Sequence, residues 1–123
     1  MTMRRQLLSL TTDAGGNATA VGTNILGKLY AIEYRPGTIA TGATVTVTCE
    51  ADTSRPLLTK SSAGTVNTIY YPRDIMNAVA DGAALTATAG GDRCQPIMNG
   101  YPKVVIASGG NTLTGSVVIY YEL

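Results

Sequence analysis

The sequence predicts an all-β protein, a single-domain antiparallel β-sandwich or jelly-roll-like barrel with at most one short helix. Several short stretches alternate apolar with polar residues, which is the pattern of a strand with one buried face. Turn-forming Gly, Pro, Asn and Asp residues separate these stretches about every ten residues, as in sandwiches and barrels. No fixed-period repeat or linker interrupts the 123 residues, so we expect one domain over residues 1–123.

Two strands are predicted on either side of a turn near the N-terminus. They cover residues 4–11 and 18–23, and the segment between them, residues 13–17 (DAGGN), has turn chemistry at nearly every position. The cations Arg4 and Arg5 stand at the outset. We therefore expect residues 1–5 to form a flexible or partner-binding arm, which becomes ordered when a partner binds.

A longer strand is predicted over residues 27–35. Its alternation places Tyr30, Ile32 and Tyr34 on one face, with the charged Glu33 and Arg35 on the other. The Pro36-Gly37 pair that follows is a strong turn signal, because proline presets one turn position and glycine accepts a positive φ at the next. The strand is therefore expected to end at residue 35.

The clearest alternation occupies residues 44–50. Val45, Val47 and Cys49 face one side and threonines face the other, which indicates a strand with one buried face. Threonine suits the outer face of a strand because its branched Cβ fits the pleat while its hydroxyl remains in water. Two shorter strands are predicted downstream, over residues 56–60 and 66–71.

From residue 72 onward, the chain contains one helical signal and one apparent hairpin. Asp74 follows Pro72-Arg73 and is a suitable cap for a short helix over residues 74–80. Residues 103–107 and 112–122 are apolar, strand-like runs separated by a segment that contains Gly109 and Gly110. Since such glycines supply the positive φ of a tight reversal, these runs are expected to pair as a terminal hairpin.

The residues that usually carry chemistry are scarce. The chain has no histidine, the side chain on which acid-base catalysis and zinc binding at neutral pH most often depend. The remaining candidates are Lys60 beside two serines and the carboxylates Glu50, Asp52, Asp81 and Asp92, and none matches a known catalytic or calcium-loop spacing. We therefore predict no enzymatic activity, no cofactor and no metal.

The cysteines, the N-terminus and the net charge limit the compartment and the partners. Cys49 and Cys94 are expected to be reduced, with one disulfide as the alternative. The apolar run after the basic start is too short for a signal peptide, and no 18-residue apolar stretch follows, so we expect synthesis in the cytoplasm and no membrane partner. Nine cations and eight anions nearly cancel, which argues against direct binding of nucleic acid.

Tyrosine is the only aromatic residue type, with seven copies and no Phe or Trp. Residues 70–71 and 120–121 are adjacent tyrosine pairs, so one ring of each pair should face the core and the other should face outward. Interfaces are enriched in tyrosine and depleted in charge, and this composition favours a part in an assembly over the alternative of a stable monomer. The candidate partner-binding residues are Arg4, Arg5, Tyr71, Arg73 and Tyr121.

Four segments of the chain share a common likeness: residues 8–19 (LSLTTDAGGNAT), 71–74 (YPRD), 90–93 (GGDR) and 103–116 (KVVIASGGNTLTGS). Together they resemble a group of small β-rich structural proteins of tailed bacteriophages that are encoded among the head genes. The resemblance implies a virion component on the head surface, a capsid decoration (cement) protein that binds the major capsid protein. It also implies a homo-oligomer, for which a trimer is expected, and it carries over no catalytic residues.

Two other functions stay open at this point. The first is a head-to-tail connector, neck or tail component of the same virion. The second is a carbohydrate-binding or host-attachment module, since jelly-roll-like sandwiches also bind glycans. The absence of tryptophan disfavours the second, because glycan sites usually contain a large aromatic stacking surface.

Overall fold

The computed structural model describes residues 2–49, 56–75 and 93–123, and within these residues it contains strands and no helix. The predicted all-β class is confirmed, because the strands form two antiparallel sheets consistent with a β-sandwich. The strands are Met3–Thr11 (β1), Ala18–Val21 (β2), Ile25–Arg35 (β3), Thr44–Cys49 (β4), Leu58–Lys60 (β5), Thr68–Tyr70 (β6), Asp74–Ile75 (β7), Arg93–Cys94 (β8), Ile97–Gly100 (β9), Pro102–Ala107 (β10) and Thr114–Glu122 (β11).

Two sheets make up the sandwich. Sheet A has the order β1-β11-β3-β6, and the first part of β3 also pairs with β9. Sheet B has the order β2-β10-β4-β5, and β7 and β8 form a separate two-stranded pair. Every pairing is antiparallel, as the short strands and turns of the sequence predict.

The core lies between the inner faces of the two sheets. Sheet A contributes Leu29, Ile32 and Tyr34 from β3, and sheet B contributes Val45 and Val47 from β4, all of them fully buried. Each such aliphatic side chain contributes about 1.5–3 kcal/mol on removal from water. Cys49 packs against the same core, so the predicted inward face of β4 is confirmed. Both cysteines are free, and Cys94 is an exposed residue.

The predicted terminal hairpin is wrong. β10 pairs with β2 and β4 in sheet B, whereas β11 pairs with β1 and β3 in sheet A, so the chain crosses from one sheet to the other between residues 107 and 114. Thr12 holds this crossing: its buried hydroxyl donates to the Gly110 carbonyl at 2.7 Å and accepts from the Leu113 amide at 2.8 Å. Gly109 and Gly110 therefore lie in a corner that connects the two sheets and not in a hairpin turn.

The start of the chain belongs to sheet A. β1 begins at Met3, and its nine residues pair in continuous register with β11, from Met3 opposite Glu122 to Thr11 opposite Thr114. Ahead of it, the carbonyl of Thr2 accepts a hydrogen bond from the amide of Leu123 at 3.0 Å. The flexible arm expected over residues 1–5 is therefore not found at residues 3–5, because the ladder with β11 extends that far; that this segment binds a partner stays a prediction.

The predicted helix does not begin at Asp74. Asp74 and Ile75 form β7, which pairs with Cys94 and Arg93 of β8. The rest of that prediction, residues 76–80, lies outside the described residues.

Candidate interaction surface

The two outer faces of the sandwich differ in chemistry. Threonines dominate the outer face of sheet B, where Thr46 lies between Thr59 and Val105 in the cross-strand register. By contrast, most of the large apolar side chains that are exposed lie on the outer face of sheet A or beside it. We call this surface the apolar face; its apolar members are Met3, Leu7, Leu26, Tyr30, Ile69, Tyr71 and Ile97.

A β-bulge in β3 shapes the centre of the apolar face. Tyr120 lies opposite Ala31 and Tyr121 lies opposite Leu29, so Tyr30 is an extra residue with no partner across the ladder. A bulge of this kind lets two successive side chains point to the same side of the sheet. Tyr30 is consequently 38% exposed and its predicted place on the face of Ile32 is wrong, while Ala31 forms a buried floor beneath the neighbouring rings.

An aromatic and cationic cluster forms around Tyr30. The rings of Tyr30 and Tyr71 meet edge to face, with centroids 5.9 Å apart and an interplanar angle of 88°. The guanidinium of Arg73 lies 5.7 Å from the centroid of the Tyr30 ring, and its Nη1 donates to the carbonyls of Tyr30 at 2.9 Å and Pro72 at 2.7 Å. These contacts hold Arg73 in one orientation, and a cation-π contact at such a site contributes about 0.5–1 kcal/mol.

Two depressions flank this cluster. An apolar one of about 170 Å³ is lined by Met3, Tyr30, Ala31, Ile69, Tyr71 and Tyr120. A larger cleft of about 580 Å³ is lined by Lys28, Tyr30, Arg73, Cys94, Gln95 and Ile97. Tyr30 lines both depressions, so a partner that contacts Tyr30 can reach the apolar lining of the smaller one and the cations Lys28 and Arg73 of the larger one.

The charges on the apolar face are unbalanced. Glu33 is already engaged, because its Oε1 accepts from Arg35 Nη2 at 2.8 Å and from the Tyr120 hydroxyl at 3.2 Å. The hydrogen bond to Glu33 raises the pKa of Arg35, as expected for an ion pair. Among the described side chains of this face, Glu122 is the one other carboxylate. The cations Arg5, Lys28 and Arg73 therefore outnumber the carboxylates that remain unpaired.

Three of the five candidate partner-binding residues lie on the apolar face. Tyr71 is 56% exposed and lies beside Arg73. Arg5 lies opposite Tyr120 of β11 in the ladder. Arg4 is exposed but, by the alternation of β1, points to the opposite side of sheet A. Tyr121, the remaining candidate, is 9% exposed and belongs to the core cluster.

The sequence argument missed Tyr30, Ile69 and Met3. Tyr30 appears on the inner face in a regular alternation, and only the bulge reverses it. Ile69 could have been recognised, because it alternates with Tyr70, whose ring packs against the core as expected. Met3 lies within the segment that was expected to be an arm.

In the described part of the chain, the other side chains considered for catalysis or metal binding do not come together in a site. The carboxylates Glu50, Asp52, Asp81 and Asp92 lie outside the described residues. Within residues 2–49, 56–75 and 93–123, no group of three or more His, Cys, Asp or Glu side chains is placed to hold a metal ion. No helix suited to crossing a membrane occurs in those same residues.

The fold and the surface together describe an antiparallel β-sandwich with one apolar, tyrosine-rich outer face and one threonine-rich outer face. Comparisons with family models, with curated proteins and with solved structures find no significant match to the chain.

Proposed function

We propose that this protein is a bacteriophage virion structural protein, a capsid decoration protein that binds the major capsid protein lattice through its apolar face. The resemblance of four sequence segments to phage head proteins supports the class. The observation that carries the proposal is the gathering of exposed Tyr30, Ile69 and Tyr71 with Arg73 on one outer face of the sandwich.

The composition of the apolar face favours a protein partner. Contiguous exposed apolar surface on a folded domain marks an interaction site, and protein interfaces are enriched in Tyr, Met and Arg. Residues that dominate binding energy are most often Trp, Tyr and Arg held rigidly in place. Tyr71 and Arg73 fit this description, because ring and backbone contacts to Tyr30 already fix their orientation.

The charge of the apolar face restricts the chemistry of that partner. With Glu33 bound to Arg35, the cations Arg5, Lys28 and Arg73 outnumber the remaining described carboxylate. Complementary potentials across an interface favour association and exclude wrong partners. The matching surface on the capsid lattice is therefore expected to combine apolar side chains with carboxylates.

Stabilisation of the capsid follows from mass action. A protein that binds the expanded shell and not its precursor stabilises the shell by RT ln(1 + [L]/Kd) per site, about 4 kcal/mol when its concentration is a thousandfold above Kd. The threonine-rich outer face of sheet B is then left toward solvent. Many copies of one modest contact add up over the shell and resist the pressure of the packaged genome.

The test compares one substitution on each outer face. Purified wild-type protein, Ile69→Lys and Thr59→Lys are added to expanded heads, and the bound copies and the melting temperature of the heads are measured. We expect wild type and Thr59→Lys to bind and raise the melting temperature. Ile69→Lys should bind about tenfold more weakly or worse, because a charge enters the apolar hollow.

Two outcomes contradict the proposal. If Thr59→Lys loses binding and Ile69→Lys keeps it, the apolar face is not the docking surface. If heads that lack the protein package a full genome and survive heating as well as complete heads, the cement role fails. A count of copies per virion addresses the alternative in the same particle: hundreds agree with the shell, whereas about six to twelve agree with a connector, neck or tail ring.

A further inference from the structure

The free edge of β1 is the longest open strand edge in the described structure. β1 has nine residues and pairs along its whole length with β11. On its other side, no backbone hydrogen bond joins residues 3–11 to any residue that the structure describes. A row of unpaired N–H and C=O groups is a template for another strand, since only a strand can satisfy all of them at once.

The other sheet edges are short by comparison. β5 and β6 have three residues each, and β2 and β9 have four each. Shortness is one of the devices that prevent edge pairing, and proline and bulges are others. β1 has none of these devices: its register with β11 is continuous, and its second half, Leu7 to Thr11, carries no charge.

The side chain of Gln6 helps to leave this edge open. Its Nε2 donates to the Thr23 carbonyl at 3.1 Å, and its Oε1 accepts from the Thr23 amide at 3.0 Å. These two bonds satisfy the backbone N–H and C=O of Thr23 through a side chain, so Thr23 makes no hydrogen bond with the main chain of β1. The connection between β2 and β3 is anchored to the edge while the main chain of β1 stays unpaired.

We propose that a second copy of this chain pairs with the free edge of β1, antiparallel across a two-fold axis near Leu7. In this register Leu7 lies opposite Leu7 of the other copy. Arg5 lies opposite Ser9 of the other copy, and Arg4 lies opposite its Leu10. The arginines of the two copies are thus kept apart by uncharged residues. Parallel pairing would place them side by side, and like charges directly opposite each other destabilise a sheet.

The two-fold pairing extends sheet A and the apolar face together. An axis perpendicular to the sheet leaves both apolar faces on the same side, and Leu7, which is 59% exposed in one copy, packs against Leu7 of the other. The arrangement is a dimer and so differs from the trimer that the resemblance implies. It does not depend on what the apolar face binds, and it doubles the surface that one particle can offer.

The test is the mass of the protein in solution, measured by sedimentation over a wide dilution series without any capsid. We expect wild-type protein to dimerise reversibly. Leu7→Lys should raise the dimer dissociation constant about tenfold or more, because two ammonium groups would meet at the axis. Ile69→Lys is the matched control: it lies on the same face at the opposite edge of sheet A and should dimerise like wild type.

A cross-link tests the register directly. In a Cys49→Ser, Cys94→Ser background, Leu7→Cys should form a disulfide-linked dimer on oxidation, whereas Thr19→Cys on β2 should not. This experiment also decides the question if Leu7→Lys does not fold. The proposal is overturned if wild type is monomeric at every concentration or sediments as a trimer, or if Ile69→Lys dissociates the dimer while Leu7→Lys does not.

Discussion

Tyr34 shows how one residue can make an unfavourable contribution to the free energy of folding inside a well-packed core. It is the largest of the fully buried side chains, and its ring packs between the two sheets. Its hydroxyl is buried and has no hydrogen-bond partner among the described residues. A buried hydroxyl without a partner costs about 1–3 kcal/mol, so the ring stabilises the fold while the oxygen weakens it.

The substitution Tyr34→Phe should therefore raise the free energy of unfolding by about 1 kcal/mol. The gain arises because the apolar ring is kept and the unsatisfied oxygen is removed. Urea denaturation at neutral pH measures the change. The control is Tyr120→Phe, which removes a hydroxyl that donates to Glu33 and should lower the stability by a similar amount. Equal losses in both variants would mean that the Tyr34 hydroxyl has a partner in solution.

The same substitution has a signature at alkaline pH. Burial, with a smaller effect from Tyr70, raises the pKa of Tyr34 above its ordinary value of about 10. The stability from the neutral phenol is fully present below pH 10 and is lost as the pH rises through the raised pKa of the folded state. Tyr34→Phe should therefore lose less stability above pH 10 than wild type does.

At the scale of the elements, the local alternation of apolar and polar residues predicts where strands lie. Which strands pair with each other depends on contacts between distant parts of the chain. β4 and its inward Val45 and Val47 follow from a strict alternation with threonine, which has one consistent interpretation. In β11, residues 117–119 are all apolar, and such a run does not indicate which positions face inward. This is why the sequence does not show which of Tyr120 and Tyr121 faces the core.

Pairing partners are harder to predict because they depend on residues far away in sequence. The segment 108–111 has the residues of a hairpin turn, yet the buried Thr12 binds Gly110 and Leu113 and directs the chain into the other sheet. The bulge at Tyr30 has a similar origin, since it exists only in the register between β3 and β11. The apolar face depends on this bulge, so it could be predicted only in part.

The ladder between β1 and β11 leads to a prediction about the N-terminus. Deleting residues 1–5 removes Met3, Arg4 and Arg5 from the ladder, together with the bond from Leu123 to Thr2. The deletion should lower the free energy of unfolding by about 2 kcal/mol or more, since each lost hydrogen bond contributes about 1 kcal/mol. Thermal and urea denaturation of the truncated protein measure this loss.

The matched control keeps the backbone and removes only the charges. The double substitution Arg4→Ser, Arg5→Ser should change stability by less than about 0.5 kcal/mol, because both side chains are exposed. If the deletion is as stable as wild type, residues 3–5 are not held by the ladder in solution, and the earlier expectation of an arm is restored. If the double substitution is as damaging as the deletion, the arginine side chains hold this strand end.

At the scale of the whole molecule, the sandwich has two outer faces with different compositions. A net charge of +1 gives almost no long-range field, so any electrostatic contribution to docking must come from the local excess of cations around Arg73 and Lys28. On the threonine-rich face, Lys103 is half-buried between Val21 and Thr48. These two regions therefore allow a comparison of one cation at the proposed docking surface with one cation away from it.

Binding to expanded heads should weaken as the salt concentration rises and then level off. Salt shortens the reach of exposed charges from about 10 Å at 0.1 M to about 3 Å at 1 M, whereas the apolar contacts of Tyr71 and Ile69 persist. Arg73→Gln should make the salt dependence shallower, and Lys103→Gln should leave it unchanged. The measurement is the dissociation constant for heads at several salt concentrations. Equal changes in both variants would mean that the cations act through net charge, and a slope unaffected by Arg73→Gln would remove Arg73 from the docking surface.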